Sequence, residues 1–140
     1  MAERSFIDTD VLIYAEASDS PLKQRIALAL LKRLYEDAQG VLSTQVLQEY
    51  CNVALKKLKL PTAHVRAQLD LFEQFEVVQV TPAIIHSALD LHQTRSVSFF
   101  NAMILASAHA SGCNVLLSED LNAGEVISGV KIVNPFADSK

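Results

Sequence analysis

Four carboxylates stand where short spacing could let them act together: Asp8 and Asp10 in "FIDTD", and Glu119 and Asp120 in "LLSED". Asp8 and Asp10 follow the apolar run "RSFI"; Glu119 and Asp120 follow "CNVLLS". Acidic clusters at the ends of two strands offer the oxygen ligands that Mg²⁺ and Mn²⁺ prefer. Ser118, adjoining the second cluster, is a secondary polar candidate, as are Asp10 and Glu119. A plainer reading stands beside the metal one. Asp8 can be a helix N-cap and Glu119-Asp120 a solvated turn, since Asp is common at both places. Glu49 shares a helical stripe with Gln45, Asn52 and Lys56. Taken alone, that stripe reads as a solvent-facing polar surface.

The elements that must position these residues alternate. "RSFI" reads as a strand and "DVLIYAEA" as a short helix. Over residues 20–38, Leu22, Ile26, Leu30 and Leu34 recur at a helical period, and Gly40 takes the place favoured just past a helix end. "GVLST" is a strand, with Ser43 or Thr44 capping a helix that runs to about Lys57 and puts Val46, Tyr50, Val53 and Ala54 on one face. Pro61 opens a further helix to about Phe75. "EVVQV" is a strand, and Thr81-Pro82 starts a helix to about Thr94. Ser98 caps a helix of mostly apolar residues that Gly112 closes; "CNVLLS" and "VKIVN" are strands. Strands alternating with helices predict an α/β fold, a mainly parallel sheet covered on both faces. Such folds bind ligands at the carboxyl ends of the strands where the chain order switches. That rule points at Asp8 and at Glu119-Asp120.

The chain has 140 residues, which predicts one domain spanning 1–140. Half the residues are apolar and 20% charged, a composition that builds a core and excludes disorder. No run is long enough to span a bilayer, and the first ten residues lack a signal peptide's apolar stretch, so the expected location is cytoplasmic, with no membrane partner. Cys51 and Cys113 form no CxxC pair and read as ordinary thiols. His64, His86, His92 and His109 are scattered and read as helix-surface residues. The net charge of −4 argues against a nucleic-acid partner, but eight of the twelve Lys and Arg lie in residues 1–60, including Lys56, Lys57 and Lys59. Carboxylates that hold a cation can still receive phosphates. The lysine group itself reads as a solvated helix end. There is no Gly-rich phosphate loop and no Ser-His-Asp set.

Four stretches, in order, resemble one family. "FIDTDVLIYA" resembles the opening of PIN-domain ribonucleases of the VapC toxin type, which usually read FIDTNVLIY. "STQVLQEYCNVALKK" resembles their second motif, with Glu49 on its acid. "SVSFFNAMILASAHASGCNVLLSEDLNAG" resembles the third and fourth, and "VKIVNPF" the C-terminal strand. The resemblance implies a three-layer α/β/α sandwich with a central, mainly parallel sheet. It implies a Mg²⁺- or Mn²⁺-dependent endoribonuclease, the toxin of a toxin–antitoxin pair, forming a homodimer and inhibited by a small antitoxin protein. Asp8, Glu49 and Asp120 correspond to three of the family's acids.

The fourth acid is missing. Where the family has Asp in "S-x-x-D-A", this chain has Asn101, and where the family usually has Asn it has Asp10. A carboxylate at a helix start is stabilised by the free amides there. Asparagine keeps the shape, retains one oxygen for a metal, and loses the charge. Three explanations stand open: an engineered inactivation, a natural loss, or a tolerated change compensated by Asp10 or Glu119. The implied reaction is hydrolysis of an RNA phosphodiester. Asp8, Asp120 and residue 101 hold metal, Glu49 holds metal or orients the water, and the cation activates water and neutralises charge on the phosphate. Asn101 is expected to lower activity by about 10²-fold or more, as does removing one preorganised electrostatic group. Single-stranded or looped RNA is the expected substrate, because its backbone reaches a recessed site. The antitoxin's inhibitory segment is expected to be basic or amphipathic, with an Arg approaching the carboxylates.

Two alternatives compete. Strand-Asp-x-Asp also resembles the first motif of haloacid-dehalogenase-like phosphatases, in which the first Asp is a nucleophile. "NVLLSED" mimics their last acidic motif, but Leu12 stands where Thr or Val is expected and no catalytic Lys is evident. The other alternative is a catalytically inactive PIN-like binding module, which Asn101 favours.

Overall fold

The computed structural model describes residues 3–137. Its elements run in the alternating order the sequence predicts: β1 (Ser5–Ile7), α1 (Thr9–Tyr14), α2 (Pro21–Glu36), β2 (Gly40–Ser43), α3 (Thr44–Lys56), α4 (Thr62–Phe72), β3 (Glu76–Val78), α5 (Pro82–Thr94), α6 (Phe99–Ala110), β4 (Val115–Leu117), β5 (Val126–Ile127) and β6 (Val130–Val133). The sheet order is β3-β2-β1-β4-β6-β5, parallel throughout except for β5 against β6. From β1 the chain winds outward to β2 and β3, then returns to β4 on the other side of β1. The order therefore switches between β1 and β4, which pair Ile7 with Leu117.

Helices flank the sheet to give the three-layer α/β/α sandwich. α1 packs on α2 and α3, and α3 on α4, while α5 pairs with α6, which lies along β2, β4 and β6. Right-handed crossovers place these two groups on opposite faces. With both faces covered, β1, β2 and β4 are buried at every position, so their sequences read as continuous apolar runs rather than alternating ones. Phe6, Ile7, Leu42 and Leu116 from the sheet meet Leu12 of α1, Leu34 of α2, Tyr50 of α3 and Leu105 of α6. A smaller cluster of Ile84, Ala88, Ala102, Met103 and Ala106 joins α5 to α6; its alanines let the two helices approach closely.

The caps lie where the residue types predict. Ser43 accepts from the Val46 N–H at 3.3 Å, Thr81 from Ile84 at 3.3 Å, and Ser98 from Asn101 at 3.2 Å. Gly40 is a correction. It is the first residue of β2 and not a helix cap; the left-handed residue after α2 is Ala38, at φ 55°. Glycine is needed at 40 because a Cβ there would stand 2.6 Å from the Phe75 ring. Of the apolar residues at helical period in α2, Leu22 is exposed, while Leu30 and Leu34, with Ala27, are buried. The fourth helix stops at Phe72 and β3 at Val78, short of the expected Phe75 and Val80. The two-residue β5 went unread because it is too short to carry a period. Among the described residues no helix is long and apolar enough to cross a membrane.

Candidate metal centre

The switch between β1 and β4 brings the two acidic stretches to one edge of the sheet. Asp8 caps α1, where its Oδ1 accepts from the Thr9 N–H at 2.7 Å. Its Oδ2 accepts from the Ser118 hydroxyl at 2.8 Å, across from the end of β4. Ser118 is wholly buried, and its Oγ in turn accepts from the Asp120 N–H at 3.2 Å. The serine thus ties Asp8 to the loop that carries Asp120. Asp8 caps α1 and still keeps an oxygen toward the other acids, so the two sequence readings of it are compatible.

Asp10 turns into the same place. Its Oδ2 accepts from the Glu119 N–H at 2.8 Å and the Asp120 N–H at 3.3 Å, while its Oδ1 is buried with no hydrogen-bond partner among the described residues. One carboxylate oxygen from each of Asp8, Asp10 and Asp120 lies within 4.8 Å of the other two. Asp8 is buried, Asp10 half-buried and Asp120 exposed, so the group opens to solvent at one side.

This crowding shifts the carboxyls. Burial pushes the Asp8 carboxyl up, against its bonds from Ser118 and Thr9, and the charge of Asp120 adds to the rise. Burial together with the charge of Asp8 pushes Asp10 up to about 7. Like charges gathered in a poorly solvated pocket, one with an unpaired buried oxygen, are a set of hard donors that a divalent cation satisfies. The residues present therefore fit such an ion, and the acidic group could hold one.

Glu119 does not join the group. Its carboxylate accepts from the Tyr14 hydroxyl at 2.6 Å and from the Lys23 ammonium at 2.7 Å. Burial pushes its carboxyl up, but these two bonds outweigh that and hold it below its ordinary range. Lys23 also sits 4.7 Å from the centroid of the Tyr14 ring.

Glu49 lines the same groove as Asp10 and Asp120, a cavity of about 550 Å³. It is exposed and lies outside the three-carboxylate group. Partial burial in the groove wall pushes its carboxyl up, against a 3.0 Å bond from the Gln45 amide. The stripe expected to face solvent is divided: Asn52 and Lys56 are exposed, but Gln45 is 5% exposed. Asn101 lies half-buried in the first turn of α6, and the carbonyl just before it, that of Phe100, accepts from Gln45 at 3.1 Å. Gln45 and the Tyr14–Lys23 pair are the residues that the sequence reading missed. The four-residue spacing of Gln45 from Glu49 was a usable signal; Lys23 lies 96 positions from Glu119, with nothing local to announce the pair.

A search of curated proteins gives no significant match. Among solved structures, the chain resembles one in a toxin–antitoxin complex from Klebsiella pneumoniae, with a TM-score of 0.71 and 21% identity over 94% of this chain and 97% of that one. It also resembles VapC20 of Mycobacterium tuberculosis, a toxin described as cleaving the sarcin–ricin loop, with a TM-score of 0.66 and 21% identity over 91% of this chain and 98% of that one. A third likeness is to VapBC2 of Rickettsia felis, bound to a fragment of promoter DNA, with a TM-score of 0.63 and 14% identity over 91% and 96% of the two chains. At these identities the likeness establishes the fold. The PIN domain family model matches residues 5–127, nearly the whole length, and the chain belongs to the PIN domain family.

Proposed function

We propose that this chain is a divalent-metal-dependent endoribonuclease, the toxin of a toxin–antitoxin pair, formed by a single domain over residues 1–140. The observation that carries the reading is the convergence of Asp8, Asp10 and Asp120, with a buried, unpartnered Asp10 oxygen, at the strand-order switch. These three residues would hold Mg²⁺ or Mn²⁺, and Asn101 would add a neutral oxygen where the family's fourth acid stands. A bound divalent ion supplies Lewis acidity toward a phosphate oxygen and eases deprotonation of water. Glu49, in the wall of the same groove, orients the attacking water. Ser118, bonded to Asp8 and to the Asp120 N–H, positions the two acids. With Asp10 present, three carboxylates would be available to hold an ion, so metal binding would survive the change at 101. The amide cannot neutralise a second cation or accept a proton, so turnover is lower by about 10²-fold than with aspartate, the scale of losing one preorganised charge.

The substrate is single-stranded or looped RNA, whose exposed backbone can enter a groove of this size. The antitoxin partner is supported by the Klebsiella structure, a toxin–antitoxin complex. A homodimer in the cytoplasm completes the reading. Exposed Ile85 and Leu89, one turn apart on α5, offer an apolar strip to a second copy. Family membership displaces the phosphatase alternative. One observation favours a second reading: Asn101 fits a PIN-like module that binds the antitoxin and does not cut.

RNA cleavage with Mg²⁺ and Mn²⁺ tests the two readings. The chain as it stands, Asn101→Asp, and Asn101→Asp combined with Asp8→Asn are compared, with a chelator as control. The nuclease reading expects strong cleavage by Asn101→Asp, weak cleavage by the unsubstituted chain and none by the double variant. Absence of cleavage in all three, across structured and unstructured RNAs, gives the lead to the binding module.

A further inference from the structure

Gln45 is almost wholly buried in the first turn of α3, at 5% exposure. Its Nε2 donates to Glu49 Oε1 at 3.0 Å and to the Phe100 carbonyl at 3.1 Å. An amide nitrogen carries two N–H groups, so both donors are used. Their partners also fix its orientation, because the amide turned over would put an oxygen against two acceptors. Gln45 Oε1, by contrast, is buried with no hydrogen-bond partner among the described residues. An unpaired buried acceptor is a net cost to folding. A solvent-facing Gln–Glu pair four residues apart would support the helix without that cost. Helix stability therefore does not account for this amide.

We propose that Gln45 is a positioning residue: its amide fixes the Glu49 carboxylate relative to the first turn of α6, which carries residue 101. The kinetic consequence rests on the nuclease reading; the placement does not. α3 and α6 belong to opposite faces of the sheet, and this amide joins them at the carboxyl edge where the acids collect. A water-orienting acid and a metal-site residue from the two helices are thereby held in one register.

The test uses the full chain carrying Asn101→Asp, a single-stranded RNA that it cleaves, and the substitutions Gln45→Met, Glu49→Gln, and both together. Gln45→Met is expected to lower kcat by about 10-fold, the scale on which orienting residues act. KM should stay within about twofold, as for an interaction made in the transition state. On the Glu49→Gln background it should add no further loss. An equal loss on both backgrounds, or none on either, overturns the proposal. Gln45→Glu retains the length and replaces a donor with an acceptor; it must lose at least as much, and it covers a Met variant that does not fold. Exchange of side-chain amide protons by NMR reads the placement without cleavage. Those of Gln45 should exchange slowly in the unsubstituted chain and faster after Glu49→Ala, while those of exposed Gln48 exchange fast in both. Fast exchange at Gln45 in the unsubstituted chain overturns the placement, whatever the activity. Protected Gln45 protons in a parent that cuts no RNA support the placement and overturn the nuclease reading instead.

Discussion

At position 101 one atom separates an amide from a carboxylate. Asn101 keeps its backbone bond to the Ser98 cap, so the helix start is intact without the charge. Asp10 brings a carboxylate oxygen within 4.8 Å of one each from Asp8 and Asp120. Asn101→Asp should raise RNA cleavage by about 10²-fold while leaving the fold unchanged, as read by initial rates and circular dichroism. Asp10→Asn should retain the bonds from Glu119 and Asp120 through its amide oxygen but lose a ligand charge. A fall in Mn²⁺ affinity of about 10-fold by calorimetry is expected; unchanged affinity would assign Asp10 to holding the loop alone. That Asp8 and Asp120 come to the same sheet edge was legible because each lies within three residues of the end of an apolar strand. That Asp10 turns inward and Glu119 outward was not legible, because the decisive partners, Lys23 and the backbone of residues 119 and 120, lie far away in the chain or in a loop without pattern.

Elements were legible wherever local chemistry marks them. Ser43, Thr81 and Ser98 cap helices by side-chain bonds to the third residue onward, a pattern visible in one dimension. Ser98→Ala should cost about 1 kcal/mol of stability, measured by urea unfolding, with little change in the slope. Packing against distant elements is what the pattern does not show. Gly40 looks like a helix terminator in sequence, yet the constraint on it comes from Phe75, 35 positions later, whose ring would meet a Cβ at 2.6 Å. Gly40→Ala should therefore destabilise by about 1–3 kcal/mol, the usual scale of overpacking. Combining it with Phe75→Leu should recover part of that loss. A loss that Phe75→Leu leaves untouched would place the constraint elsewhere.

For the whole molecule, the parallel sheet and its strand-order switch place carboxylates from both ends of the chain at one edge. The alternation of strands and helices was enough to predict that edge, and the rule for ligand sites in such sheets was enough to choose it. The stability of the whole chain carries the same signature. Asp8 and Asp10 have raised carboxyl pKa values, Asp10 at about 7, so the folded state holds protons that the unfolded chain releases near the ordinary aspartate value. Their contribution is therefore greatest at low pH, declines as pH rises through the interval up to about 7, and is flat above it. Without metal, the melting temperature should fall between about pH 5 and pH 8 more in this chain than in Asp10→Asn, and Mg²⁺ should raise it more at pH 8, where the carboxylates are charged. The most direct test of the central claim, that these carboxylates form a metal centre, is calorimetric titration of Mn²⁺ into the unsubstituted chain and into Asp8→Asn. Saturable binding that Asp8→Asn abolishes is the predicted result. No saturable binding, or binding that survives Asp8→Asn, would contradict it.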